Sequence, residues 1–173
     1  MKFGGTSVGT PQRIKEVTKL VNDGEPKIVV LSALSGTTNA LIRINDDFYA
    51  GDKEGALMKI DELEQIYRKH AEELYSSEAY KDVTLKLFHK KFDFIRSFAE
   101  SQFSMAEAKQ IVGQGELLST NMVINYMYEQ GISATLIPAL DFMRIGKDNM
   151  PDEDYIKDNL NMLLSQNTDY QIY

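Results

Sequence analysis

The chain has 173 residues, with 19 basic and 26 acidic side chains, a net charge of −7, 43% hydrophobic residues and no cysteine. A domain of this size can bury roughly two thirds of the surface its unfolded chain exposes, so one core suffices, and the lack of cysteine rules out thiol catalysis, zinc fingers and iron–sulfur clusters. The acidic balance argues against a nucleic-acid footprint, and the longest strongly apolar run, 28–34, is too short to cross a bilayer.

The chain opens with Lys2 and Phe3, a strand stub, followed by Gly4, Gly5, Thr6 and Ser7. Thr10 and Pro11 then suit the cap and first position of a helix whose Ile14, Val17 and Val21 share a face, with Asn22, Asp23 and Gly24 stopping it. Residues 27–32 (KIVVLS) form a continuous apolar run, which predicts a strand of a parallel sheet covered on both faces. After the turn SGTT at 35–38 comes a helix with Leu41, Ile44 and Phe48 facing inward and Gly51 near its end.

Two long helices follow. One carries Leu57, Ile60, Leu63, Tyr67 and Leu74, the other Leu85, Phe88, Phe92, Ile95 and Phe98, and together they predict an antiparallel hairpin. Lys86, Lys90 and Lys91 read as its solvated face. Ser104 and Glu107 form a capping box opening a further helix, which Gly113 and Gly115 are expected to interrupt before it resumes over 116–130. Residues 133–138 (SATLIP) predict a strand, 141–145 a short strand or loop, 151–164 a helix with an acidic start, and 170–173 the beginning of another strand. Strands alternating with helices indicate an α/β fold. Both termini read as cut from a longer chain. The eight methionines read as core filler.

Lys2 with the paired glycines is the sharpest chemical feature. Glycines after a strand let backbone amides approach phosphate oxygens at the positive end of a helix, and a lysine on the strand can reach over the turn to a transferring phosphoryl group. A tight strand-to-helix turn with an incidental lysine fits the hexapeptide alone at least as well. Ser32 and Thr38 flank the second turn at the carboxyl ends of strands, where parallel sheets bind ligands, although Thr37 or Thr38 could simply cap the helix. Glu116, beside Gly113 and Gly115, could receive a substrate ammonium or merely favour a helix start. His70 reads as a hydrogen-bonded packing residue and His89 lacks a partner at ligand spacing; Asp148, Asp152, Glu153 and Asp154 lack the pattern of a calcium loop. No metal site is expected.

Together, KFGGTSV at 2–8, VLSALSGTTN at 30–39 and GELLST at 115–120 resemble, in order, three motifs of the aspartokinases in the amino acid kinase superfamily. The resemblance spans the whole chain. It implies a three-layer α/β/α sandwich with a mostly parallel sheet, of which residues 1–173 would be the amino-terminal, aspartate-binding part, with a helical excursion at about 53–102. It also implies transfer of the ATP γ-phosphoryl group to the β-carboxylate of L-aspartate, the entry to lysine, threonine and methionine synthesis, with Mg2+ accompanying the nucleotide.

By the family's pattern Lys2 would stabilise the transferring group, Gly4, Gly5, Thr6 and Ser7 would hold phosphate oxygens, and Ser32, Thr38 and Glu116 would position aspartate. The family's GRGGSD-type motif, its nucleotide lobe and its ACT regulatory domains are not found, so the chain by itself is expected to be weakly active or inactive. The parent enzyme is expected to be cytoplasmic and homo-oligomeric. Kinases for glutamate, acetylglutamate or carbamate, or a non-catalytic binding module, are the alternatives.

Overall fold

The structure is a computed structural model and describes residues 1–100 and 102–173. Strand β1 (Lys2–Phe3) pairs in parallel with β2 (Val30–Leu31), Lys2 opposite Val30 and Phe3 opposite Leu31. The parallel pairing continues sideways through single bridges, Lys27 to Ile172 and Ile172 to Ala134. The expected strands at 27–32, 133–138 and 170–173 are therefore in parallel contact, but regular pairing is shorter than the apolar runs suggest.

Helix α1 (Pro11–Val21) starts as its sequence predicts, Thr10 accepting a hydrogen bond from the Arg13 amide with Pro11 at the first position. Helix α2 (Thr37–Ala50) ends at Gly51, whose φ of 76° is left-handed. Helices α3 (Lys53–Leu74) and α4 (Glu78–Ser97) form the antiparallel hairpin, Tyr67 meeting Phe88 and Phe92 edge-on. Buried Glu64 on α3 ties them further, accepting from Arg96 at 2.5 Å and from Arg68 at 3.2 Å.

Helix α5 (Met105–Glu129) opens with the capping box of Ser104 and Glu107 and runs without a break through Gly113 and Gly115, correcting the expected interruption. The reason is that neither glycine is used to bend the chain: Gly113 faces open space and Gly115 is a contact point. Of the short strand or loop expected over 141–145, Asp141 and Phe142 instead end a short helix, α6 (Ala139–Phe142), because the Met143 amide closes a helical turn onto the Ala139 carbonyl, while 143–145 is extended loop with a single bridge from Ile145 to Pro151. Helix α7 (Glu153–Gln166) is capped by the Asp152 side chain, which also pairs with Arg144.

The core gathers α1 to α5, with Ile14, Leu41, Ile44, Ile60, Tyr67, Phe88, Phe92 and Leu118 fully buried. Phe3, Val29 and Leu31 pack on it. The alternate residues Ile28 and Val30 are 44% and 53% exposed, so the described residues cover one face of the sheet where two were expected. Of the methionines only Met122 and Met127 are buried; Met58, Met105, Met143, Met150 and Met162 lie on outer faces, so most are not core filler.

Candidate functional site

The three motifs meet through glycines. A Cβ on Gly5 would stand 2.6 Å from the Ala33 carbonyl oxygen, and one on Gly9 would stand 2.9 Å from the Gly5 carbonyl oxygen and 3.0 Å from Ser35 Cβ. The Ser35 amide donates to the Gly5 carbonyl at 3.1 Å, sewing the first turn to the second. From the other side, a Cβ on Gly115 would meet Ala33 Cβ at 3.0 Å and the Thr37 methyl at 3.3 Å, while the Ser119 hydroxyl donates to the Ser32 carbonyl at 2.9 Å. Segments more than 80 residues apart in sequence are thus held in direct contact.

Within the first turn, Gly5, Thr6 and Ser7 form a single 3-10 turn, the Ser7 amide donating to the Gly4 carbonyl at 2.9 Å. The Gly5 and Thr6 amides have no acceptor among the described residues. Arg13 on α1 donates to the Thr6 carbonyl at 2.5 Å, and His70 on α3 places Nε2 3.3 Å from the Gly9 carbonyl and Nδ1 2.8 Å from the Ile66 carbonyl. His70 is therefore hydrogen-bonded, as its apolar helical setting suggests, and it also bears on the glycine turn. An open cleft of about 460 Å³, lined by Phe3, Thr6, Ser7, Arg13 and Glu16, lies on the α1 side of this turn. Lys2, Ser32, Thr38 and Glu116 do not line it.

Lys2 pairs with Val30, and alternation along the strand puts Lys2, Val30 and Ser32 on one face of the sheet. Its side chain is exposed and joins no ion pair among the described residues. Glu116 is likewise exposed and free of an ion pair among them, one residue beyond the Gly115 contact. Neither threonine caps α2, correcting that reading: the cap position is Gly36, at a φ of 85° with no side-chain cap bond. The Thr37 hydroxyl is buried against the Tyr67 hydroxyl at 2.9 Å, leaving Thr38 exposed and its hydroxyl without a hydrogen bond among the described residues.

Arg13 and Tyr67 are site neighbours that sequence reasoning missed. Arg13 carried a signal, since a cation one turn into the helix after a glycine turn can fold back on it; Tyr67 carried none beyond core periodicity. His89, on α4, lies 3.6 Å from Glu64 of α3 and 3.2 Å from Asp93 of its own helix.

The chain belongs to the amino acid kinase family, whose family model matches residues 1–172. It is 27% identical over 160 residues to Aspartokinase 1, chloroplastic, of Arabidopsis thaliana, an overlap of 91% of this chain and 28% of that protein. It is 33% identical over 127 residues to the aspartokinase of Chlamydia trachomatis, covering 72% of this chain and 26% of that one. Among solved structures it is similar to E. coli aspartokinase III in complex with aspartate and ADP in the R-state, with a TM-score of 0.84 and 25% identity over 99% of this chain and 38% of that chain. The chain spans about a quarter of the length of these two curated relatives.

Proposed function

We propose that this chain is the aspartate-binding, amino-terminal part of an aspartate kinase, which moves the γ-phosphoryl group of ATP to the β-carboxylate of L-aspartate to give 4-phospho-L-aspartate. The observation that carries the reading is the convergence of the glycine turn, the 32–38 turn and the Gly115 contact at one place. The aspartokinase relatives, and a solved neighbour with aspartate and ADP, support it.

In this reading Lys2 neutralises charge on the phosphoryl group in flight, and Gly4, Gly5, Thr6 and Ser7 hold phosphate oxygens through amides and hydroxyls. Ser32 and Thr38 position the acceptor, and Glu116 receives its α-ammonium. The acceptor carboxylate is the nucleophile and is ionised at neutral pH, so no side chain needs to remove a proton. Catalysis is then positioning and charge neutralisation.

Among the described residues no group of three or more histidine, aspartate or glutamate side chains gathers into a metal-binding set. Mg2+ would accompany the nucleotide, held through its phosphates, and would supply charge neutralisation there. ATP fits the Gly5 and Thr6 amides and Lys2, none of which has a hydrogen-bond acceptor or ion-pair partner among the described residues.

The same reading makes the exposed Ile28 and Val30 the side on which a second helix layer would complete a three-layer α/β/α sandwich with a mostly parallel sheet. Residues 53–102 would be a helical insertion, the nucleotide lobe would come from further sequence, and residues 1–173 alone would turn over weakly. Assembly as a homo-oligomer in a reducing compartment such as the cytoplasm belongs to the proposal. No helix among the described residues is long and apolar enough to cross a membrane. The test is acyl phosphate formation by the full-length protein with ATP and either aspartate or glutamate, trapped with hydroxylamine. Aspartate-dependent hydroxamate with little from glutamate supports the reading; none from aspartate overturns it.

A further inference from the structure

We propose that Tyr67 is a positioning residue for the acceptor pocket, its buried hydroxyl fixing through Thr37 the start of the helix that carries Thr38. The inference rests on the functional reading above and adds a residue outside its motifs.

Tyr67 is fully buried on α3, its ring clamped edge-on by Phe88 at 5.3 Å and by Phe92 at 5.8 Å between centroids. The ring cannot swing away without opening the hairpin core, so the hydroxyl is presented in one place. There it meets Thr37 Oγ1 at 2.9 Å. Burial raises the phenol's pKa well above its ordinary value, a Thr37 hydrogen bond only partly opposes this, and the negative charge of Glu116 raises it further. The phenol thus keeps its proton at any physiological pH.

Thr37 is gripped on both sides. Its methyl group packs where a Cβ on Gly115 would come within 3.3 Å, and its hydroxyl meets Tyr67. Helix α2 has no side-chain cap of its own; its first residue is held by the Thr37 amide donating to the Leu34 carbonyl at 3.0 Å and, through its side chain, by this bond to Tyr67. Thr38 is next in sequence, and Glu116 follows Gly115. Any slack at Thr37 would change the spacing of the two groups assigned to aspartate, while Lys2 and the glycine turn, held by β2 and Ser35, would stay in place. One turn further along α3, His70 reaches Gly9, so the hairpin touches both turns with different residues.

The experiment is steady-state kinetics of the full-length protein carrying Tyr67→Phe, which keeps the ring and removes the oxygen. The KM for aspartate should rise roughly three- to tenfold, the size of one net hydrogen bond, with kcat and the KM for ATP within about twofold. Thr37→Val should reproduce this split, Thr37→Ser, which keeps the hydroxyl and loses only the methyl contact, should lie closer to the wild-type KM than Thr37→Val does, and the double variant Tyr67→Phe with Thr37→Val should be no worse than either alone. An unchanged aspartate KM, or equal losses in kcat and in the KM for both substrates, overturns the assignment. The Thr37→Val and Thr37→Ser pair decides it by itself should Tyr67→Phe not fold. Wild-type enzyme that does not use aspartate would overturn the functional reading; wild-type turnover with variants indistinguishable from it would overturn only the role of Tyr67.

Discussion

Gly5 and Ala33 lie so close that a single added carbon on Gly5 would stand 2.6 Å from the Ala33 carbonyl oxygen. Backbone cannot yield as a side chain can, so Gly5→Ala must separate the two turns, at a cost of about 2 kcal/mol or more. The glycines of α5 give an internal comparison. At Gly115 the neighbours are side-chain atoms at 3.0 to 3.3 Å, and overpacking should outweigh the helix propensity gained, leaving Gly115→Ala about 1 kcal/mol less stable. Gly113 faces open space, so Gly113→Ala should be about 1 kcal/mol more stable. Urea unfolding of the three variants checks the order.

Alkaline pH should unfold the protein through two buried tyrosines. Desolvation raises the phenols of Tyr67 and Tyr75 well above their ordinary range, and Tyr75 donates to the Met122 carbonyl at 2.6 Å. A group whose pKa is higher folded than unfolded contributes stability that is complete below the unfolded value, about 10, and is lost as pH rises beyond it. Stability should therefore fall above about pH 10, by up to roughly 1.4 kcal/mol per pH unit for each group, and Tyr75→Phe should flatten that slope. In a phenolate absorbance titration, Tyr67 and Tyr75, among the nine tyrosines, should ionise only as helical circular dichroism is lost. Reversible ionisation of all nine near pH 10 with the helices intact would contradict this.

Arg96 should be worth more than a surface arginine. Its partner Glu64 is 4% exposed, and Arg96→Met would leave that carboxylate, among the described residues, with Arg68 and the exposed His89 beside it. Loss of roughly 2 to 3 kcal/mol is expected, read from the urea midpoint at neutral pH.

Much of this architecture was legible in the residues. Thr10 with Pro11, Ser104 with Glu107, and the faces of Ile14, Leu41, Ile60 and Phe88 all act through local rules of capping and periodicity, and each is found where those rules place it. What local rules cannot give is the partner. Periodicity marks Tyr67 as buried but not as facing Thr37, thirty residues earlier. Glu64 reads as one more acidic residue on a long helix, because its cations lie on the next helix as well as its own. Gly115 reads as a helix breaker, because the benefit of its missing side chain lies in Ala33 and Thr37. The exposed Ile28 and Val30 show the converse: an apolar run reports what a strand can pack against, not what the described residues supply.

Lys2 stands exposed at the head of β1 and joins no ion pair among the described residues. Lys2→Ala should leave aspartate binding by the full-length protein, measured calorimetrically, within about threefold of wild type, while kcat falls by roughly a hundredfold or more, as expected when a group that stabilises charge in the transition state is removed. A kcat within about fivefold of wild type would contradict it.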